Sequence, residues 1–187
     1  MMRPILALVA SLACMGTAAA QVVNAPAGSV EGKSVRGVAA FKGIPFAKPP
    51  IGELRWKAPL PLPAWKGVRK AQSFGAACVQ PRPNAAHIYA NPPAKISEDC
   101  LTLNIWAPDK IRDAPVIVWI HGGALSTGYS HEAMYDSAKL GARGAIVVSI
   151  NYRLGVLGYM AHPALSAESA DGISGNYGLL DQIAALE

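Results

Sequence analysis

The chain has 187 residues, of which 51% are apolar, and its formal net charge is +5. That length and composition predict one globular domain with enough chain to bury a core. The 17 lysines and arginines are scattered and form no basic stripe interleaved with aromatic residues, so nucleic acid is not expected as a partner.

The first segment, residues 1–20, has the parts of a secretory signal peptide. A positive start precedes an apolar run over residues 5–15, which is too short to span a bilayer, and residues 18–20 form an A-x-A exit. We expect cleavage after Ala20 and a periplasmic or secreted protein. Lipidation at Cys14 is the weaker alternative, because a poor lipidation box precedes it. No other stretch predicts a transmembrane segment.

Export leaves two cysteines in the mature chain, Cys78 and Cys100. An even pair in an oxidising compartment is a disulfide candidate, and two buried free thiols are the alternative. No histidine or further cysteine lies at zinc-ligand spacing from either residue. We expect neither a metal nor a cofactor.

The mature chain begins with a predicted antiparallel hairpin. Residues 22–31 and 34–41 are predicted to be short strands around a turn at residues 31–33. Residues 28–34, GSVEGKS, resemble a phosphate loop but have three residues between the glycines where the motif has four, so we interpret them as a turn. The proline-rich residues 41–63 predict an ordered segment that wraps the domain without long helix or central strand.

Residues 79–99, between the cysteines, are predicted to be a surface loop. Its His87 and Tyr89 could contact a substrate, but simple exposure is the favoured interpretation. The alternating residues 101–107, LTLNIWA, predict a strand.

The most informative stretch is residues 116–128, VIVWIHGGALSTG. Its first five residues predict a strand buried on both faces, and the glycines that follow predict a sharp turn with free N–H groups. Such groups at the carboxyl end of a strand suit a developing negative oxygen. Taken alone, residues 121–124, HGGA, are equally compatible with a glycine-rich turn that has no catalytic role.

The remaining pattern predicts a helix over residues 132–141 and a strand over 145–150, which together complete a right-handed βαβ crossover and an α/β fold. Residues 151–158 are predicted to be rich in turns, and residues 167–175 to be flexible. A final helix is expected to run from an Asn176 cap to Glu187. Its predicted buried stripe is Leu179, Leu180, Ile183 and Leu186. No stop signal closes this helix, so we expect a truncated domain.

Several motifs occur together in one order. Residues 98–108, EDCLTLNIWAP, match the EDCL signature of type-B carboxylesterases, and residues 41–50 match that family's FKGIPYAxPP entrance segment. Residues 151–155 and 175–182 match two further blocks. The chain, over residues 21–187, therefore resembles the amino-terminal part of a type-B carboxylesterase, the cholinesterase-like branch of the α/β-hydrolases.

This resemblance implies a mixed, mostly parallel sheet with flanking helices and a small antiparallel amino-terminal hairpin. It also implies a Cys78–Cys100 disulfide and an ion pair between Arg55 and Glu98. The activity it implies is hydrolysis of a small-molecule carboxylic ester by a Ser-Glu-His triad. Choline esters are not expected, because the loop over residues 79–99 has no tryptophan to bind the cation.

By the same resemblance, the backbone N–H groups of Gly123 and Ala124 are the oxyanion donors. The family often has a third glycine and then phenylalanine where this chain has Ala124 and Leu125, and we expect the donor to survive if φ at Ala124 stays negative. His121 is predicted to be structural.

The chain contains no G-x-S-x-G, and residues 172–176 are the nearest miss. None of its histidines matches the catalytic one. We therefore expect residues 1–187 to supply the oxyanion hole without the triad, and to be inactive alone. A catalytically inactive relative used for adhesion or binding is the alternative.

Overall fold

A computed structural model describes residues 19–82, 92–110, 113–135 and 137–187. The predicted signal peptide therefore lies outside the described residues, apart from Ala19 and Ala20, as do His87 and Tyr89.

The described residues form one mixed sheet of seven strands in the order β1-β2-β3-β5-β7-β6, with β4 paired to β2 off this path. The strands are β1 (Ala19–Ala25), β2 (Gly28–Val35), β3 (Val38–Pro45), β4 (Val68–Lys70), β5 (Thr102–Pro108), β6 (Val116–Ile120) and β7 (Ile146–Ile150).

The predicted mixed sheet is confirmed, but the expectation of mostly parallel pairing does not hold for the described strands. Only β6–β7 and β2–β4 are parallel, and the other pairs are antiparallel. For β1–β2 and β2–β3 the reason lies in the connections: these strands follow one another through tight turns, whereas parallel neighbours need a longer crossover.

The helices are short: α1 (Ala138–Gly141), α2 (Gly155–Tyr159), α3 (Pro163–Glu168) and α4 (Tyr177–Ala184). The helix predicted over residues 132–141 divides into a 3-10 turn, Ala133–Tyr135, and α1. The segment predicted to be turn-rich, residues 151–158, contains most of α2. Among the described helices, none has the length and apolar character needed to cross a membrane.

The amino-terminal hairpin is a three-stranded meander, and its turns lie elsewhere than predicted. Val35 pairs with Val38 across a two-residue turn in which Arg36 has φ 54° and Gly37 has φ 82°, as tight hairpin turns require. Residues 31–33 instead lie inside β2, so GSVEGKS is strand and not turn. No larger residue fits at position 32, because a Cβ on Gly32 would lie 2.6 Å from the Phe41 ring.

Two buried clusters form the core. One lies under the meander, and the other surrounds the Cys78–Cys100 disulfide, which is present as predicted. The second cluster joins the wrapping segment at Ala47 to Tyr152 and Leu154 beyond β7. It thereby brings the disulfide close to the carboxyl end of the sheet.

Two predictions of burial are wrong. The residues of β6 are 37–60% exposed, because β6 is an edge strand against which, among the described elements, only β7 packs extensively. The helix α4 ends at Ala184 and not at Glu187 as predicted, so Leu186 of the predicted stripe lies beyond it. Leu179, Ile183 and Leu186 are exposed, whereas Tyr177, Gly178 and Asp181 of α4 are buried. Asn176 precedes α4 but its side chain makes no capping hydrogen bond.

Candidate active site

The glycine turn, residues 121–130, follows the carboxyl end of β6. Its first residue, His121, is buried. Its ring stacks on Tyr152, with centroids 4.5 Å apart, and the Tyr152 hydroxyl donates to the His121 carbonyl at 2.7 Å. Nδ1 lies 2.9 Å from the Gly122 carbonyl oxygen; since that oxygen only accepts, Nδ1 carries the proton. Burial lowers the pKa of His121, which keeps the ring neutral. These contacts support the predicted structural role.

Backbone geometry requires glycine at two positions of the turn. Gly123 has φ 120°, and a Cβ there would lie 2.0 Å from the Thr127 carbonyl oxygen. Gly128 has φ 105°, and a Cβ there would lie 2.4 Å from the Gly122 carbonyl oxygen. The Gly123 carbonyl accepts hydrogen bonds from the amides of Ser126 and Thr127, each at 3.0 Å. The turn is therefore too tight for any side chain at either glycine.

One of the two predicted donors, Ala124, has a backbone conformation that differs from the one we assumed for it. Ala124 has φ 50° and Leu125 has φ 59°, so the negative φ at Ala124 that we set as the condition for its donor role is not found. The hydrogen bonds that close the turn onto Gly123, together with one from the Gly155 amide to the Leu125 carbonyl at 2.7 Å, hold both residues in this left-handed region. The amides of Gly123 and Ala124 donate to no other described residue, and both residues are exposed.

Buried asparagines attach the end of the turn to the sheet. Asn104 of β5 donates to the hydroxyls of Ser130, at 3.0 Å, and Ser149, at 3.2 Å. Asn151 accepts from the Ser130 amide at 2.9 Å, and its own amide donates to the carbonyls of Ala76 and Cys100. Sequence analysis missed both residues; the signal for Asn104 was a polar side chain on the buried face of an alternating strand.

Two ion pairs support the surroundings of the turn. Arg55 and Glu98 form the predicted pair through two contacts of 2.6 and 2.8 Å, and the hydrogen bonds from Arg55 lower the pKa of Glu98. Arg153 and Asp181 form a second pair at 2.7 Å, with side chains 4% and 0% exposed. This buried pair, which sequence analysis missed, joins the segment after β7 to α4.

Ser174, which lies in the stretch most similar to G-x-S-x-G, has a structural role. The Ser174 hydroxyl accepts from the His162 amide at 3.1 Å and contacts the Ser166 hydroxyl at 2.7 Å. The His162 ring accepts from the Ala164 amide instead, capping α3. The described contacts therefore give Ser174 no histidine base. No group of three or more histidine, cysteine or acidic residues within the described ranges could hold a metal ion.

A second cluster of rings surrounds His131. Its ring stacks on Phe74 at 4.7 Å and meets the edge of Tyr129 at 4.6 Å. Burial, with the nearby charge of Lys42, lowers the pKa of His131 to about 4. His131 is therefore neutral near pH 7 and packs as an aromatic ring.

Comparison with known proteins gives one consistent result. A family model described as "Carboxylesterase family" matches residues 19–187. Fumonisin B1 esterase of Sphingopyxis macrogoltabida is 46% identical over 169 residues, which cover 89% of this chain and 30% of that protein. Para-nitrobenzyl esterase of Bacillus subtilis (strain 168) is 44% identical over 169 residues, covering 89% and 34%. A solved PNB esterase superposes with a TM-score of 0.80 at 45% identity, covering 89% of this chain and 34% of that one. The chain spans about a third of the length of these relatives.

Proposed function

Because the chain belongs to the carboxylesterase family and has the α/β-hydrolase fold, we propose that the protein hydrolyses carboxylic esters through a serine acyl-enzyme. The observation that carries this proposal is the turn after β6. Its Gly123 and Ala124 amides are exposed and donate to no other described residue.

In the proposed reaction, a serine oxygen attacks the acyl carbon and a histidine accepts the serine proton. The former carbonyl oxygen becomes negative and accepts hydrogen bonds from the amides of Gly123 and Ala124. The residues that hold the turn support this role. The buried side chains of Tyr152 and Asn151 hydrogen-bond to its two ends, so the turn is fixed before substrate binds. We propose that residues 1–187 supply the oxyanion donors and that the triad comes from outside them.

The substrate we propose is a small-molecule carboxylic ester. The names of the relatives support this class, since they refer to fumonisin B1 and para-nitrobenzyl esters. We further propose that the protein is exported to the periplasm or beyond the cell. The Cys78–Cys100 disulfide supports this location, as does the signal-like sequence of residues 1–20.

The proposal is tested on the protein expressed from its complete natural reading frame, with p-nitrophenyl butyrate as substrate. Gly123→Ala is expected to lower kcat by about 10²–10³, because the new Cβ displaces a donor amide. Gly67→Ala is the matched control: Gly67 has φ 77°, but a Cβ there meets nothing within 4 Å. Equal losses in both variants would contradict the oxyanion assignment. A folded protein that neither cleaves the ester nor is labelled by a serine-directed fluorophosphonate is the inactive binding relative.

A further inference from the structure

The side chain of Gln80, two residues after Cys78, contacts the glycine turn. Its Nε2 donates to the Gly128 carbonyl at 2.8 Å, and its Oε1 accepts from the Gly128 amide at 2.9 Å. Nε2 also lies 3.1 Å from the Cys78 carbonyl oxygen, to which it donates. The Gln80 side-chain amide is thus hydrogen-bonded to both the N–H and the carbonyl of Gly128 and to the carbonyl of Cys78, a disulfide cysteine.

Gly128 in turn abuts the peptide unit that carries a proposed oxyanion donor. A Cβ on Gly128 would lie 2.4 Å from the Gly122 carbonyl oxygen and 2.5 Å from His121 Nδ1, so the Gly128 backbone packs directly against both groups. The Gly122 carbonyl and the Gly123 N–H belong to one planar peptide. Whatever fixes the direction of that carbonyl therefore fixes the direction of the Gly123 donor.

From this geometry we propose that Gln80 is a positioning residue of the oxyanion hole: it holds Gly128 against the Gly122–Gly123 peptide and is itself held by the Cys78–Cys100 disulfide. This inference rests on the proposed ester hydrolase function. Within the described residues Gln80 makes no hydrogen bond to the donor amides, so it acts through Gly128. The disulfide gains a second role, because it fixes the start of the segment from which Gln80 reaches the turn.

The test replaces Gln80 by leucine in the protein expressed from its complete reading frame. Gln80→Leu is expected to lower kcat for p-nitrophenyl butyrate by about 10- to 100-fold with little change in KM, because a misplaced donor affects the transition state more than substrate binding. Gln72→Leu is the matched control: Gln72 is also half-buried, but its amide donates to Glu31, at 2.6 Å, on β2. Its kcat is expected to stay near that of the unsubstituted protein.

A second measurement separates this inference from the proposed activity. The amides of Ser126 and Thr127 donate to the Gly123 carbonyl and not to Gln80. Their hydrogen exchange is therefore expected to accelerate in Gln80→Leu and to stay unchanged in Gln72→Leu. If the unsubstituted protein has no esterase activity but exchange is still faster in Gln80→Leu, the proposed function is overturned and the positioning role is supported. Unchanged exchange, or a kcat equal to that of Gln72→Leu, overturns the positioning role.

The contribution of the disulfide is tested by reduction under native conditions. Reduction is expected to lower kcat in the unsubstituted protein and to have a smaller effect in Gln80→Leu, since contacts that act in series are not additive. Equal fold losses in the two proteins would overturn the link between the disulfide and Gln80.

Discussion

At the scale of single residues, Ala124 carries an unusual backbone conformation next to the proposed chemistry. Its φ of 50° lies in the left-handed region, which costs an alanine about 1–2 kcal/mol relative to the usual helical region. Such strain persists only where surrounding contacts determine the conformation, as the bonds to the Gly123 and Leu125 carbonyls do here.

Ala124→Gly is expected to raise the free energy of unfolding by up to about 1 kcal/mol. Relief of the left-handed strain exceeds the greater backbone entropy that glycine loses on folding, about 0.5–1 kcal/mol. Urea unfolding measures the change. Ala142→Gly is the matched control, because Ala142 is exposed with φ −65°, and this variant should lose stability. A similar loss in both variants would show that Ala124 is not strained.

His131 predicts a pH dependence of stability. Its pKa is about 4 in the folded protein and about 6.5 when unfolded, so the unfolded chain binds more protons between these values. The free energy of unfolding therefore falls as the pH drops from about 6.5 to 4. His131→Phe keeps a ring against Phe74 without a titrating group. Urea unfolding from pH 7 to 4 should show a weaker decline in this variant, and parallel curves would contradict the assignment.

At the scale of elements, two ion pairs of different burial join distant segments. Asp181 of α4 is fully buried and accepts from the backbone amide, Nε and Nη2 of Arg153. The Arg55–Glu98 pair is half-exposed, with side chains 37% and 27% accessible. Water can replace a lost partner only at the second pair.

Asp181→Ala is accordingly expected to lower the free energy of unfolding by about 3–5 kcal/mol, since it leaves the Arg153 charge buried and unpaired. Glu98→Gln, the exposed counterpart, should lower the urea midpoint by a smaller amount. Equal midpoints for the two variants would contradict the difference in burial. An unchanged midpoint in Glu98→Gln would show that the predicted pair contributes no stability.

The same elements show what the sequence could and could not predict. Alternation predicted the strand at residues 101–107, and an apolar, β-branched run predicted the strand at residues 145–150, because local patterning dominates there. The turn predicted at residues 31–33 failed because these residues pair with β1, and Gly32 serves there to let Ala40 and Phe41 of β3 approach closely. Spacing does not reveal such contacts. The buried face of α4 was missed because Asp181 is drawn inward by Arg153, a partner 28 positions away.

The candidate site divides in the same way. The glycine turn and a candidate Cys78–Cys100 disulfide followed from the residue pattern and the cysteine count, and the family resemblance added the Arg55–Glu98 pair. The hydrogen bonds that Gln80 and Asn151 make to the turn depend on folded distances, and no local pattern predicts them. Asn104 did carry a local signal, a polar residue on the buried face of an alternating strand, but its partners depend on the fold. The conformation of Ala124 was also out of reach, since most alanines avoid a positive φ.

At the scale of the whole molecule, the chain spans about a third of its relatives' length and leaves β6 as an apolar edge. Among the strands that the structure describes, VIVWI pairs on one side only, and its residues are 37–60% exposed. An unpaired apolar edge strand is a template for pairing with another chain. In isolation, this part of the domain should therefore be prone to self-association.

We expect residues 21–187, produced alone, to be poorly soluble and inactive on short-chain p-nitrophenyl esters. Val118→Lys places a charge in the middle of β6 and should raise the soluble fraction. Val156→Lys in α2 is the matched control, because Val156 is 60% exposed and Val118 only 37%. If exposed apolar area alone drives association, Val156→Lys should raise the soluble fraction at least as much as Val118→Lys. If pairing at the edge strand drives association, only Val118→Lys should raise it. Light scattering after size-exclusion chromatography distinguishes the two, and serine-dependent turnover by the segment would contradict its expected inactivity.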